Sequence, residues 1–363
     1  MDSNHLADAA VSHDVRALPT RIDDITPDWL TRALSVKHPG TVVRDVNVES
    51  TIWGTASKVF IDVDYERVPE GGPGRRLCLK GGFDDKLQGV QAIGYRLEAK
   101  FYEDIAPSLS GLPECWFAGV DESSGQGLVV IDDLRAAGAT FGAPSDSPAI
   151  DDVASCLETM AGWHATTWDR GGVTANLSWL TVGSNLFRPV AQWFLSPDHW
   201  SAYIDSPQCS SFVGPLRDRQ KILRAIERLW DEDDNDHLSL SHGDPHVGNT
   251  YVTADGRRHF LDWQTVSLAP WSDDVSYFLV GILDVERRRK HELELIRHYH
   301  NALTAGVSDA PSFDQAWHAY RKHQLHGLMF ALCPPEMQSA EVCTQMGERY
   351  GAAALDHETL SLF

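Results

Sequence analysis

The sequence predicts an α+β protein of two lobes, an antiparallel strand lobe with one helix followed by a larger, mainly helical lobe. Three observations predict it. Between residues 41 and 133, short apolar or alternating runs are punctuated by glycine, proline and polar turns, with one helical stretch among them. After Asp133 the apolar spacing becomes helical over long segments. The chain has 363 residues, of which 42% are hydrophobic, which is more than one small core needs and enough to fill two.

The elements follow in order. Residues 1–22 form a polar leader expected to fray. "ITPDWLTRAL" has a Thr26 cap, Pro27 in the first turn and helical apolar spacing. "TVVRDVNVEST" and "SKVFIDVDYERV" read as strands, the second alternating cleanly, and "LCLKGGF" as a short strand ending in glycines. "GVQAIGYRLEAKFYEDIAPSL" is helical. "PECWFAGV" and "GLVVIDDL" are two further strands around the polar turn "DESSGQ". The first lobe therefore spans 23–133, the second 134–363, and the joint falls near "IDDLRAAG". In the second lobe "IDDVASCLETMAGWHATTWD", "VGPLRDRQKILRAIERLWDE" and the segments from "SDDVSYFLVGIL" onward are helical. Residues 171–212 between them lack regular spacing and are read as an irregular insert that covers an acceptor pocket.

Composition excludes several classes. The net charge is -21, so nucleic-acid backbones and anionic membranes would be repelled. The one short basic cluster, Arg287 to Lys290, is flanked by Glu286, Glu292 and Glu294 and reads as a solvated helix face. No run approaches the ~18 apolar residues of a membrane span, and the N-terminus has no basic-then-apolar signal pattern. A cytoplasmic protein is expected. The six cysteines are widely spaced without a CxxC pair, which implies reduced, buried thiols rather than a disulfide or zinc framework. Oligomeric state leaves no trace in the sequence.

The chemistry concentrates in "LSLSHGDPHVGNTYVTADGRRHFLDWQ". "NTYV" and "HFLD" are strand-like, and Asp255-Gly256 is a strong hairpin signal, because a type I′ turn needs positive φ at both central residues. With those two at the centre, Ala254 faces Arg257, and pairing continued outward sets Asn249 opposite Asp262. Cross-strand partners share a face, so an amide oxygen and a carboxylate there can share one hard cation such as Mg²⁺. Asp244 lies in the loop entering the hairpin, where it could accept a proton from a substrate hydroxyl. Taken singly, each residue has an ordinary structural explanation as a turn cap, a turn or a strand end. Together, Asp, Asn five residues on, a hairpin and then Asp make the arrangement of a kinase catalytic loop and its metal-binding Asp. His242 is read as a brace of this loop, and His246 as either structural or a substrate contact.

Phosphoryl transfer would also need a lysine from the strand lobe. Lys80 ends the apolar strand "LCLK", where a charge is costly without a partner. Glu98, Phe101, Tyr102 and Ile105 fall on one helical stripe, which puts a carboxylate on an apolar face. Lys80 and Glu98 are therefore the expected ion pair. Gly54, Thr55, Ala56 and Ser57 supply small residues for a phosphate-covering loop, although no GxGxxG is present. Adenine is expected against the backbone of Ile131, Asp132, Asp133 and Leu134.

At this point "LSHGDPHVGNTYV", "FLDWQ" and "PWSDDVSYFL" resemble the aminoglycoside phosphotransferase superfamily, in particular its ecdysteroid-kinase-like and bacterial small-molecule phosphotransferase branches. "LEAKFYEDIAP" and "GLVVIDDLRAAG" are similar to that superfamily's first-lobe helix and hinge. The resemblance covers residues 40 to 340. It implies a bilobal protein-kinase-like fold and ATP-dependent phosphorylation of a small-molecule hydroxyl, with GTP also open as donor. By position it implies Asp244 as base, Asn249 and Asp262 as Mg²⁺ ligands, Lys80 on the phosphates and Glu98 orienting it. It also implies that Asp274, in "SDDVSYF", braces the catalytic loop. Pro245-His246 occupy positions that vary between branches. Trp263-Gln264 stand where protein kinases carry Phe-Gly, which speaks against their activation switch.

Two other readings remain. A metal-dependent hydrolase could use His242, Asp244, His246 and Asp262, but it would leave Lys80 and Glu98 unexplained. A non-catalytic nucleotide-binding module is the third. For the acceptor, the insert carries only Arg188, Asp198 and Asp205 as charged residues. Polycationic aminoglycosides would call for more carboxylates. Trp179, Trp193 and Trp200, with Phe187 and Phe194, point to a partly apolar alcohol, phenol or hydroxy acid, against the alternative that they are helical core; an antibiotic acceptor also stays open.

Overall fold

A computed structural model describes residues 17–54, 56–84, 92–144, 146–183 and 187–363. Thr55, most of the leader, the start of the helical stretch at Gly89 and part of the insert lie outside these. The chain divides into two compact units. The first is residues 1–140 with Leu261–Gln264, and the second is Phe141–Phe260 with Thr265–Phe363.

The first unit is built on a five-stranded antiparallel sheet: β1 (Val42–Ile52), β2 (Ser57–Arg67), β3 (Arg76–Gly81), β4 (Cys115–Asp121) and β5 (Gln126–Asp132), in the order β1-β2-β3-β5-β4. Helix α1 (Pro27–Ser35) begins as the sequence predicts, with the Trp29 N–H donating to Thr26 Oγ1 at 3.2 Å. Its Trp29, Leu30 and Leu34 pack with Val59, Ile61, Val63, Leu77, Leu79, Leu128 and Val130 into one core. Side chains alternate across a strand, so that core takes one face of the sheet, and Lys58, Phe60, Cys78 and Lys80 take the other.

Helix α2 (Ala92–Lys100) lies on this second face. Gly127 makes the approach possible, since a Cβ there would stand 2.4 Å from the Tyr95 carbonyl oxygen. Beyond α2 the chain widens into a π-helical turn, Phe101–Ile105, and the predicted stripe of Glu98, Phe101, Tyr102 and Ile105 is buried. Part of the leader is not frayed: Leu18 is buried, and the Pro19 carbonyl accepts from Gln126 Nε2 at 2.8 Å.

The second unit is mainly helical. Its helices are α3 (Ile150–Thr166), α4 (Phe187–Phe194), α5 (Pro197–Tyr203), α6 (Arg219–Asp233), α7 (Trp271–Ile282), α8 (Val285–Gly306), α9 (Phe313–Lys322), α10 (Gln324–Leu328) and α11 (Ala340–Asp356). Short strands frame the predicted catalytic loop. β7 (Ser239–Ser241) pairs with β10 (Ser267–Ala269), and β8 (Thr250–Val252) with β9 (Arg258–Phe260). The two-residue strand β6 (Thr140–Phe141) completes the sheet order β6-β8-β9.

Several expectations are corrected here. The β8–β9 ladder pairs Thr250 with Phe260 and Val252 with Arg258, one residue out of step with the expected register. The Asp-Gly sequence closes a three-residue loop rather than a two-residue type I′ turn. Gly256 alone takes positive φ (87°), and the Thr253 N–H reaches the Arg257 carbonyl. Residues 171–212 are not irregular throughout, because α4 and α5 lie within them. The Arg287–Lys290 cluster is not wholly a solvated face: Arg288 is buried and pairs with Glu292 and Asp356. All six cysteines are free and buried. Among the described residues no helix is long and apolar enough to cross a membrane.

Candidate active site

In the first unit the predicted ion pair is present and gains a third member. Lys80 Nζ lies 2.8 Å from Glu98 and 2.8 Å from Asp262 Oδ1. Lys80 is 5% exposed and Glu98 2%. Burial works against the lysine charge, but Asp262 and Glu98 outweigh it, so the ammonium titrates above the ordinary lysine value. Burial likewise pushes the Glu98 carboxyl up while Lys80 opposes it. With the ammonium 2.8 Å away, the charged pair is the state we assign.

Asp262 reaches Lys80 from a left-handed backbone conformation, φ 72°, which Asp tolerates better than most residues. Its neighbours fix it there. Trp263 is buried and stacks on Phe101 at 4.0 Å between centroids, and Gln264 Nε2 donates to Asp262 Oδ1. Trp263-Gln264 thus tie this segment to the π-turn after α2.

The phosphate-loop expectation holds less well. Gly54 is exposed in the turn before β2. Ser57 is already in β2, opposite Gly81, so its buried hydroxyl projects to the Val59 face, away from Lys80. At the predicted hinge, Ile131 pairs with both Cys78 and Cys115 inside the sheet. The Asp132 and Asp133 N–H groups are spent on the carbonyls of Glu114 and Arg76. Asp132 accepts from Trp116 Nε1 at 2.7 Å. Asp133 is gripped by Arg135 at 3.0 and 3.1 Å, and the Arg135 guanidinium stacks 3.1 Å over Phe60. Leu134 caps the turn by accepting from the Ala139 N–H.

In the second unit Asp274, buried near the start of α7, holds the predicted catalytic loop. It accepts from Ser241 Oγ at 2.9 Å, the His242 N–H at 2.7 Å and the Gly243 N–H at 2.9 Å. Burial alone would raise its carboxyl pKa, but His164, His242 and the Gly243 N–H outweigh it and hold it below the usual carboxylate range. Gly243 must be glycine: its φ is 78°, and a Cβ would stand 2.6 Å from the Thr265 carbonyl oxygen.

His242 is buried, and its Nδ1 accepts from the Asp244 N–H at 3.3 Å, as a brace would. His246 caps the turn Val247–Asn249, its Nδ1 accepting from the Gly248 N–H, while its Nε2 stands 3.6 Å from Asp244. Asn249 Nδ2 donates to the Asp244 carbonyl at 2.9 Å and to Asp244 Oδ2 at 3.2 Å.

Tyr277 was not foreseen. Burial, with Asp244 beside it, raises the pKa of its hydroxyl well above the usual value, so it stays protonated. The signal was in the sequence: Tyr277 is three residues after Asp274, on the same side of α7.

The tryptophans of the insert differ in exposure. Trp200 is core, packed near Phe212. Trp193 is 46% exposed on α4 beside His199, and Trp179 is half-buried. Among the described residues no group of three His, Cys, Asp or Glu side chains is arranged to hold a metal ion. Of the residues in the hydrolase reading, His242 braces the loop and His246 caps a turn, while Asp244 accepts from Asn249 and Asp262 pairs with Lys80.

The model of the ecdysteroid kinase-like family matches residues 216–310, the segment holding Asp244, Asn249, Asp262 and Asp274. A choline kinase from Cryptosporidium parvum is similar in structure at 11% identity, with a TM-score of 0.56, covering 93% of this chain and 97% of that one. A candidate aminoglycoside phosphotransferase from Ralstonia eutropha is similar at 13% identity, with a TM-score of 0.51, covering 90% and 96%. The chain shares the fold of these kinase-like proteins. At such identity the likeness concerns the fold. Among curated proteins no sequence is similar enough to count as a match.

Proposed function

We propose that the protein is an ATP-dependent phosphotransferase acting on a hydroxyl of a small molecule. The observation that carries this is Lys80 held at 2.8 Å by both Glu98 and Asp262 in a chain with a kinase-like fold. Three buried or half-buried charges are expensive as a stability device. As a phosphate-binding lysine with its orienting partner and a metal-binding Asp, they have a use.

In this reading Lys80 binds the α/β-phosphates and Glu98 fixes its direction. Gly54 and Ser57 contribute backbone rather than side chains near the phosphates, and Thr55 lies outside the described residues. The purine lies toward the end of β5 and the residues after it, Ile131 to Leu134. Asp244 orients the acceptor hydroxyl. As the acceptor oxygen bonds to the γ-phosphorus and the bond to the β-phosphate oxygen breaks, Asp244 takes the hydroxyl proton. Tyr277 and Asn249 hold its carboxylate for that purpose.

The donor set fits Mg²⁺, which takes few protein oxygens alongside substrate phosphates. Asn249 and Asp262 would hold it. This assignment rests on the resemblance, since the observed ladder does not set the two opposite each other. Bound there, the ion would neutralise charge on the phosphate oxygens.

Candidate acceptors are the partly apolar alcohols, phenols and hydroxy acids, antibiotics, and choline-like amino alcohols, the last from the structural likeness. Trp200, being core, drops out of the acceptor site, while Trp179, Trp193 and His246 remain candidates. The test is a mass-shift screen of these classes with ATP and Mg²⁺. A phosphate monoester of one class identifies the acceptor, and ATP left intact beside all of them removes the proposal.

A further inference from the structure

Across the β2–β3 ladder, Lys80 stands directly opposite Lys58. Cross-strand partners project to one face with Cβ atoms roughly 4.5–5.5 Å apart, and like charges so placed destabilise a sheet. The two lysines are in different circumstances. Lys80 is buried and held by two carboxylates. Lys58 is half-buried, and among the described residues its side chain has neither a hydrogen bond nor an ion pair. The ladder sets its side chain on the Lys80 face of the sheet. It follows immediately on the small-residue turn at Gly54 and Ala56, at the start of β2.

A lysine kept only for solubility gains nothing by standing half-buried opposite another lysine. Glu98 and Asp262, the carboxylates in contact with Lys80, are committed to it. What the arrangement lacks is an anion that reaches past Lys80 toward the turn. A polyphosphate chain has that chemistry and that length, while a monophosphate does not.

We propose that Lys58 is a second phosphate-binding lysine, contacting the β- and γ-phosphates of the bound nucleoside triphosphate beyond the reach of Lys80. This rests on the phosphotransferase reading and deepens it. Lys58 would then make the site discriminate triphosphate from monophosphate. Its grip would hold the transferring group before any acceptor arrives.

The test is isothermal titration of the full chain with MgATP, AMP and inorganic triphosphate, for wild type, Lys58→Met and Lys58→Arg. Removing one charge-assisted hydrogen bond weakens affinity roughly 10–100-fold. We expect that weakening for MgATP and inorganic triphosphate in Lys58→Met, with AMP changed less than about 3-fold and Lys58→Arg recovering most of the affinity. The melting temperature of Lys58→Met should stay level or rise, because a like-charge pair is relieved. Wild-type affinity for MgATP and triphosphate in Lys58→Met would overturn the assignment and leave the phosphotransferase reading standing. Equal weakening of AMP and ATP would also overturn it. A wild-type chain that binds no nucleotide at all would remove both.

Discussion

Removing Asp274 should show how much of the predicted catalytic loop one carboxylate holds. Three donors converge on it within 2.9 Å: Ser241 Oγ and the N–H groups of His242 and Gly243. The site is sealed, with Asp274 1% exposed, so water cannot freely replace it. Hydrogen bonds to a charged group contribute about 1.5–3 kcal/mol each, and a buried donor left unpaired costs about 1–3 kcal/mol. Simple addition overshoots, because the loop can relax. Breaking a buried charge from its partners typically costs about 3–5 kcal/mol, and that is the loss expected for Asp274→Ala. Asp274→Asn keeps one acceptor oxygen but turns an NH₂ toward a backbone N–H, so it should lose less, about 2 kcal/mol. Urea denaturation measures both, with the m-value unchanged if the native fold is retained. Turnover should fall in the same order. A loss below about 0.5 kcal/mol for Asp274→Ala, the size of an ordinary surface substitution, would refute the idea that this carboxylate organises the loop.

Two further outcomes are expected. Tyr277→Phe removes a donor to Asp244 while keeping the ring, so kcat should drop roughly 10-fold with KM for ATP unchanged, consistent with one hydrogen bond to a charged group; steady-state kinetics checks this, and an altered KM at constant kcat would contradict it. For His323, burial lowers the pKa, but Asp233 at 3.1 Å and Asp273 outweigh it and raise the value from 6.5 to about 9. A raised histidine pKa contributes stability that is complete below the unfolded value and is lost as pH rises through the folded one. Stability should therefore decline between pH 6.5 and about 9, and His323→Gln should flatten that slope in urea titrations at several pH values.

How much of this was legible in the sequence depended on the range of the interaction. Local signals read well. Thr26-Pro27 caps α1, the strands of the first unit fall where alternation and turns put them, and the stripe through Glu98 finds the partner of Lys80. These depend on neighbours within one or two helical turns. The hairpin register failed because Asp-Gly serves two loop lengths, and only the conformation of Gly256 decides between them. The face taken by Ser57 and the Lys58–Lys80 pairing depend on strand register and could not be counted from one strand alone. Arg288 reads as solvated beside its charged neighbours; it is buried, and of its two partners only Glu292 is local, while Asp356 lies far along the chain. The motif residues were recognisable by spacing, whereas the place of Tyr277 beside Asp244 required the helix to be placed.

The most direct measurement of the central claim compares ADP release by wild type and Asp244→Asn, with MgATP and an acceptor found by screening. If Asp244 takes the hydroxyl proton, the substitution should lower turnover by roughly 10²–10⁴-fold, as for loss of a general base, while MgATP still binds. Wild-type turnover in Asp244→Asn would contradict the account.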